Sequence, residues 1–240
     1  MTPKQLFDAG RVREAQQALA AHLRNRPDDI QARSFLFELL CFSGDYERAE
    51  KQLGVLADSN EKTKLGAVLY YSALHAEKSR HQLYKESAFP QSVAPAEVKG
   101  TLNGKPFSTI RDADPDLGAR LEVYAAGAYL WIPFAHLSSV RMEAPTKLRD
   151  TLWVPAFAVG GEALRERDLG EVLLPAIYPF SWRHPDESIW LGRGTEYSED
   201  ENGTRYPEGQ KILIVDGEEV PFLEIRTLEI EQAAAGDSAE

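Results

Sequence analysis

Near the start of the chain, Gly10-Arg11-Val12-Arg13-Glu14-Ala15 recurs as Gly44-Asp45-Tyr46-Glu47-Arg48-Ala49, and Leu19 recurs as Leu53, an offset of 34 residues. That is the length of a tetratricopeptide unit, a pair of helices that buries its apolar face only by stacking on a neighbour. The pattern predicts Gly10 and Gly44 at the turns between helices, with Val12 and Tyr46 packed back on the preceding helix. Ala15 and Ala49 then fall where two helix backbones approach closely. Pro27 stands where one unit ends, since proline stops a helix and suits the first turn of the next. Helical pairs of this kind bind peptides and helices more than they do chemistry, so an interaction protein is the first functional expectation.

Helices are predicted over 2–8, 11–25, 29–42, 46–57 and 61–86, with Thr2 as N-cap, Pro3 at the first helical position and Asn60 capping the long fifth helix. The leading helix of the first unit is short. Fewer than three full units seldom stand alone, so the fifth helix and the rest of the chain must cover the exposed end. From Phe89 the character changes. Pro90, Pro95, Pro106 and Pro115, with Gly100, Gly104 and Gly118, mark a linker and then short, turn-rich segments. Asn103-Gly104 and Ala126-Gly127 suit hairpin turns. Residues 121–124 and 129–133 read as paired strands, followed by strands at 137–143, 152–159 and 172–178. A last hairpin spans 211–215 and 220–225 around Asp216-Gly217. The predicted organisation is a multidomain α and α+β protein. A tetratricopeptide-like helical domain covers 1–88, a linker 89–98, a compact β-rich α+β domain 99–231 and a flexible tail 232–240.

Charge divides the chain at the same place. Residues 1–95 carry 13 basic and 12 acidic side chains, a net of +1; residues 96–240 carry 14 and 26, a net of −12, and the two sum to −11. An acidic chain without a basic stripe is a poor ligand for nucleic acid or an anionic membrane. The acidic half is either a plain solvated surface or a field that steers a basic partner. No run of apolar residues is long enough for a transmembrane helix, and the N-terminus has no secretory core. A single cysteine, Cys41, lies in an apolar run and reads as a core residue; these points together predict a reducing cytoplasm.

The motifs tested for chemistry fail one by one. Asp112, Asp114 and Asp116 have the alternate spacing that opens a calcium loop, but Leu117 and Val123 stand where the loop needs glycine and glutamate. The five histidines lack the spacing of a zinc site. No phosphate-cradling glycine loop or nucleophile elbow is present, and adjacent pairs such as Asp186-Glu187 read as charged loop. Neither metal nor cofactor is expected. What stands out in the second half is Trp and Tyr close to Arg and Asp, residue types that anchor interfaces but also fill cores. Arg149 and Asp150 either pair with each other to pin the strand that follows, or leave Arg149 to grip a carboxylate of a partner.

These aromatic segments resemble the ImpE family, also called TagJ, accessory proteins of bacterial type VI secretion systems. The resemblance runs through residues 121–123, Tyr129-Leu130-Trp131-Ile132-Pro133-Phe134, Leu148-Arg149-Asp150-Thr151-Leu152-Trp153-Val154-Pro155-Ala156, Leu174-Pro175-Ala176-Ile177-Tyr178-Pro179 and Leu191-Gly192-Arg193-Gly194-Thr195-Glu196-Tyr197. Tyr197 stands where the family resemblance leads one to expect Trp. The resemblance implies a non-enzymatic cytoplasmic protein of the contractile sheath, with the small (TssB-type) sheath subunit and the ClpV-type AAA+ ATPase as partners. On the residues alone, a groove walled by helices 11–25, 29–42 and 46–57 would take a partner's amphipathic helix. The candidate partner contacts are Phe42, Tyr46, Tyr70, Arg149, Asp150 and Arg193. Two alternatives stand beside this adaptor reading. One is an enzyme with a C-terminal site around Arg149, Asp150, Arg193 and His184; the other is a chaperone for unfolded clients.

Overall fold

Five helices open the chain: α1 (Pro3–Asp8), α2 (Val12–Asn25), α3 (Ile30–Phe42), α4 (Tyr46–Ala57) and α5 (Glu61–Glu86). The computed structural model describes residues 1–59, 61–90, 98–164 and 168–232. Side-chain caps fix the helix starts. The Thr2 hydroxyl accepts from the Gln5 amide while Gln5 returns a bond to the Thr2 amide, a reciprocal capping box. Asp29 accepts from the Ala32 amide and Asp45 from that of Arg48. The cap expected at Asn60 lies outside the described residues. Gly10 (φ +73°) and Gly44 (φ +70°) turn the chain in the left-handed region that favours glycine. Val12, Ala15 and Ala49 are fully buried where the helices meet, so the 34-residue echo is a stack of helical pairs.

The second half is built of antiparallel strands. They are β1 (Gly100–Leu102), β2 (Lys105–Phe107), β3 (Ile110–Asp112), β4 (Arg120–Ala125), β5 (Ala128–Pro133), β6 (Leu137–Met142), β7 (Trp153–Gly160) and β8 (Asp168–Pro175). After the short helix α6 (Glu187–Trp190) come β9 (Thr195–Glu199), β10 (Arg205–Gly209), β11 (Ile212–Val215), β12 (Glu218–Pro221) and β13 (Thr227–Ile230). Eight strands form one sheet in the order β2-β1-β13-β6-β7-β8-β4-β5; β12-β11-β3 form a second sheet, and β9 and β10 a separate hairpin. The hairpins around Asn103-Gly104, Ala126-Gly127 and Asp216-Gly217 form as their turns predict. Two expected strands move. β8 starts at Asp168 rather than 172, and the last arm of the final hairpin ends at Pro221, where a 3-10 turn (Phe222–Glu224) takes over. Strand β13, not expected from the sequence, inserts between β1 and β6 and joins the first hairpin to the sheet.

Strand β4 shows how the halves meet. It is buried along nearly its whole length, so its alternation separates two interiors rather than core from solvent. Leu121 and Val123 join a core between the large sheet and the β3-β11-β12 sheet, closed by Phe222 and Ile225. Glu122 and Tyr124 face the other way, opposite Trp131 and Tyr129 of β5. On that side the helices share one continuous core with Tyr124, Leu152, Trp153, Leu173, Ile177, Trp190 and Leu191. Among the described residues the helices have no apolar core separate from the sheet.

Candidate functional site

A cluster of buried charges holds the helices on the sheet. Arg80 of α5 makes a forked pair of bonds to Glu122 of β4, Nε to Oε1 at 2.7 Å and Nη2 to Oε2 at 2.8 Å. Its Nη1 reaches Glu77 Oε1 at 3.2 Å and the Ile177 carbonyl at 3.0 Å. Lys211 Nζ lies 2.6 Å from Glu122 Oε2 and 2.7 Å from Asp112 Oδ2. Tyr124 Oη and Trp153 Nε1 both donate to Glu77 Oε2, Tyr129 Oη donates to Glu122, and Tyr178 Oη donates to Asp112 Oδ1 at 2.8 Å. Burial alone would push the Glu122 carboxyl up, but Arg80 and Lys211 hold it down at about 2. A strand glutamate buried on both sides is tolerable only with such partners.

Around this cluster, each helix of the stack is fastened separately. Arg193 donates to the Phe7 and Asp8 carbonyls at the end of α1 and stacks over the Phe7 ring. The Arg13 amide donates to Glu187 of α6, its guanidinium pairs with the same carboxylate at 3.1 Å, and it covers Trp190. Arg149 lies 3.5 Å from Glu38 of α3 and over the ring of Tyr70 on α5. Trp182 fits into the turn at Gly44, with Tyr46 and His81 against its ring. The two glycine turns of the repeat are therefore docking points: Gly10 faces Ser188 of α6 and Gly44 faces Trp182.

All six residues singled out from the sequence fall within or beside this junction. Phe42 is 3% exposed in the shared core. Tyr46 packs on His81 and Trp182, and burial raises its hydroxyl well above the usual tyrosine value. Tyr70 stacks on Trp153. Arg149 grips a carboxylate, that of Glu38 in its own chain, and does not pair with Asp150. Asp150 accepts from the Thr146 and Lys147 amides and so closes the turn before β7. Arg193 holds α1. His184, the fourth member of the enzyme alternative, lies 3.2 Å from Glu196. Glu77, Arg80, Glu122 and Lys211 were missed. The one available signal was the charged pair Glu77/Arg80 on the same helix face as the small residues Ala73 and Ala76.

Residues 104–229 match the model of the ImpE protein family, and residues 6–69 match a tetratricopeptide repeat family. The type VI secretion system accessory component TagJ of Pseudomonas aeruginosa PAO1 is 30% identical over 275 aligned positions, covering 98% of this chain and 93% of that protein. The chain belongs to the ImpE family. The crystal structure of protein VPA1032 from Vibrio parahaemolyticus has the same fold, with a TM-score of 0.84 at 21% identity over 97% of this chain and 98% of the other. In this ImpE chain the segments that carry the resemblance are those that build the junction. They supply Glu122, Tyr129, Trp131, Arg149, Trp153, Ile177, Tyr178 and Arg193, each against a helix or in the buried charge cluster.

The large apolar side chains that remain exposed on the helices gather mainly at the open end of the stack. Val55 of α4 and Val68, Leu69 and Tyr71 of α5 are 49%, 61%, 50% and 40% exposed. Helices α4 and α5 pack along each other, and a methyl added at Gly54 would meet the Tyr71 hydroxyl at 3.4 Å, so the two helices present one surface. Lys51, one turn before Val55, gives it a basic edge.

The junction also carries a pH dependence. His81 donates from Nδ1 to the Glu77 carbonyl at 2.9 Å and sits among Tyr46, Phe180 and Trp182, and its buried Nε2 has no hydrogen-bond partner among the described residues. Burial holds its pKa down to about 4 from an ordinary 6.5, against the pull of Glu77. The ring is neutral in the fold but takes a proton in the unfolded chain below its ordinary value. Stability is therefore full above that value and falls as pH drops toward the folded one, by up to roughly 3 kcal/mol. The thermal midpoint is expected to fall less between about pH 7.5 and about pH 5 in His81→Phe than in the wild type. Equal losses in the two proteins would remove His81 as the cause.

Proposed function

We propose that this chain is a non-enzymatic cytoplasmic adaptor of a bacterial type VI secretion system. It binds the small sheath subunit through an amphipathic helix and links that subunit to the ClpV-type AAA+ ATPase that recycles contracted sheath. Membership of the ImpE family and the likeness to TagJ support the secretion context. No helix among the described residues is long and apolar enough to cross a membrane. The observation that carries the binding mode is the apolar face of Val55, Val68, Leu69 and Tyr71 at the open end of the tetratricopeptide stack. Such a stack buries each helix on the next, and at α5 the succession stops with large apolar side chains in solvent. A partner helix with anchors at i, i+3, i+4 and i+7 and an acidic flank toward Lys51 completes the succession. Phe42, Tyr46, Tyr70, Arg149, Asp150 and Arg193 then serve binding indirectly, by holding α3 and α5 in place.

Bringing two partners together raises their effective concentration without any catalysis. Copurification of the three purified proteins tests this role. The chain is expected to retain sheath subunit and ATPase together, and Val68→Asp/Leu69→Asp to lose the sheath subunit while keeping the ATPase. Failure of the wild-type chain to retain either protein would sink the adaptor reading.

A further inference from the structure

On the far side of the junction from the Val68 face, an open cleft of about 250 Å³ lies between α5, the loop after β3 and the β9–β10 hairpin. Its walls are the rings of Tyr84, Phe180 and Tyr206, and Asp114, Asp116 and Glu208 bring three carboxyl groups to it. That volume is below the range of small-molecule pockets and suits a single side chain. Asp114 is 4% exposed. It accepts from the Asp116 amide at 2.9 Å, and the Tyr84 hydroxyl lies 3.3 Å from it. Its neighbour Asp112 has Lys211 as counter-ion, but among the described residues no basic group lies within ion-pair range of Asp114. Among the described residues that line the cleft the one cation is Arg183, whose guanidinium stacks on the Phe180 ring with 4.2 Å to the centroid. This wall thus already accepts a guanidinium face, and three carboxyls against one cation leave the cleft short of positive charge.

We propose that this cleft receives an arginine side chain presented by a protein partner, stacked between Tyr84 and Tyr206 with Asp114 at the closed end. Planar guanidinium geometry matches both the aromatic walls and the carboxylate floor, which a compact ammonium does less well. Burial, then the charge of Asp112, pushes the Asp114 carboxyl up to about 7, so at neutral pH a proton partly stands in for the missing cation. The acidic half of the chain, 26 acidic against 14 basic side chains over residues 96–240, steers a basic segment toward it. This site is independent of the α4–α5 face and stands or falls apart from it.

The test is a heteronuclear NMR titration of the intact protein with N-acetyl-arginine methylamide, using the neutral citrulline analogue as control. Saturable shifts are expected at the amides of 112–116, 180–183 and 206–208, with a midpoint of roughly 1–20 mM. The citrulline analogue should give none. Asp114→Asn is expected to weaken binding roughly fivefold. Should that variant fail to fold, Tyr206→Ala/Glu208→Gln on the hairpin keeps the question open to measurement and is expected to weaken binding by a similar factor. No saturable shift, equal shifts with citrulline, or unchanged binding in the hairpin variant would each overturn the proposal.

Discussion

Glu122→Gln is expected to destabilise the protein by about 3–5 kcal/mol, the cost of leaving buried charge without its partner. The substitution keeps the side chain's shape and most of its packing, so no cavity enters the comparison. What it removes is the negative charge, one of the two oxygens that accept the Arg80 fork, and one of the two anions on Lys211. Both cations are buried, at 1% exposure, and cannot turn to water. In a chain of this size the loss corresponds to a fall in thermal midpoint on the order of 10 °C. Because the helices and sheet share one core, unfolding is expected as a single transition, not as loss of the helices first. Arg80→Met/Glu122→Met should cost less than the sum of the two single changes, since each single change strands the other charge. A loss under about 1 kcal/mol for Glu122→Gln would mean that water or rearrangement compensates the cations and that the cluster does not hold the halves together.

The second large effect separates two glycines that look equivalent in the repeat. Both have positive φ, so alanine at either position carries a backbone cost of about 1 kcal/mol. At Gly10 the added methyl would meet Ser188 at 3.6 Å, an ordinary contact. At Gly44 it would fall 2.5 Å from the Trp182 ring, between the helices and a side chain that also touches Tyr46 and His81. Overpacking of that kind adds about 1–3 kcal/mol, so Gly44→Ala is expected to cost roughly 2–4 kcal/mol. In a Trp182→Ala background Gly44→Ala should cost less than it does in the wild type, a coupling measurable by denaturant unfolding of the four proteins. Equal costs for Gly10→Ala and Gly44→Ala would show that Trp182 is not wedged into the turn.

The helices were legible because their signals are local. Thr2 and Pro3 announce a helix start by chemistry confined to a few residues, and the 34-residue echo places small residues where helices meet. Hairpin turns were legible for the same reason. The junction was not, because its bonds join residues far apart in sequence: Arg80 to Glu122 across 42 positions and Lys211 to Glu122 across 89. In sequence each of these charges reads as solvated surface. Likewise, the spacing of Phe42 and Tyr46 shows that a face is buried without showing what buries it. The candidate contacts were sought among aromatic and arginine residues, and the fold uses that chemistry to fasten its own helices. The apolar face at Val68 and Leu69 has no such signature, since a run of aliphatic residues in a helix reads as core.

The proposed partner binding lies on the outer α4–α5 face, while the arginine anchors work inside the molecule. Isothermal titration with the purified small sheath subunit tests this placement, comparing wild type, Val68→Asp/Leu69→Asp and Arg149→Ala/Arg193→Ala. The first pair is expected to weaken binding by roughly tenfold or more with the fold intact. The second pair should lower the thermal midpoint but leave the affinity within roughly threefold, below 1 kcal/mol. Undiminished affinity in Val68→Asp/Leu69→Asp, together with its loss in a folded Arg149→Ala/Arg193→Ala protein, would return the binding site to the junction.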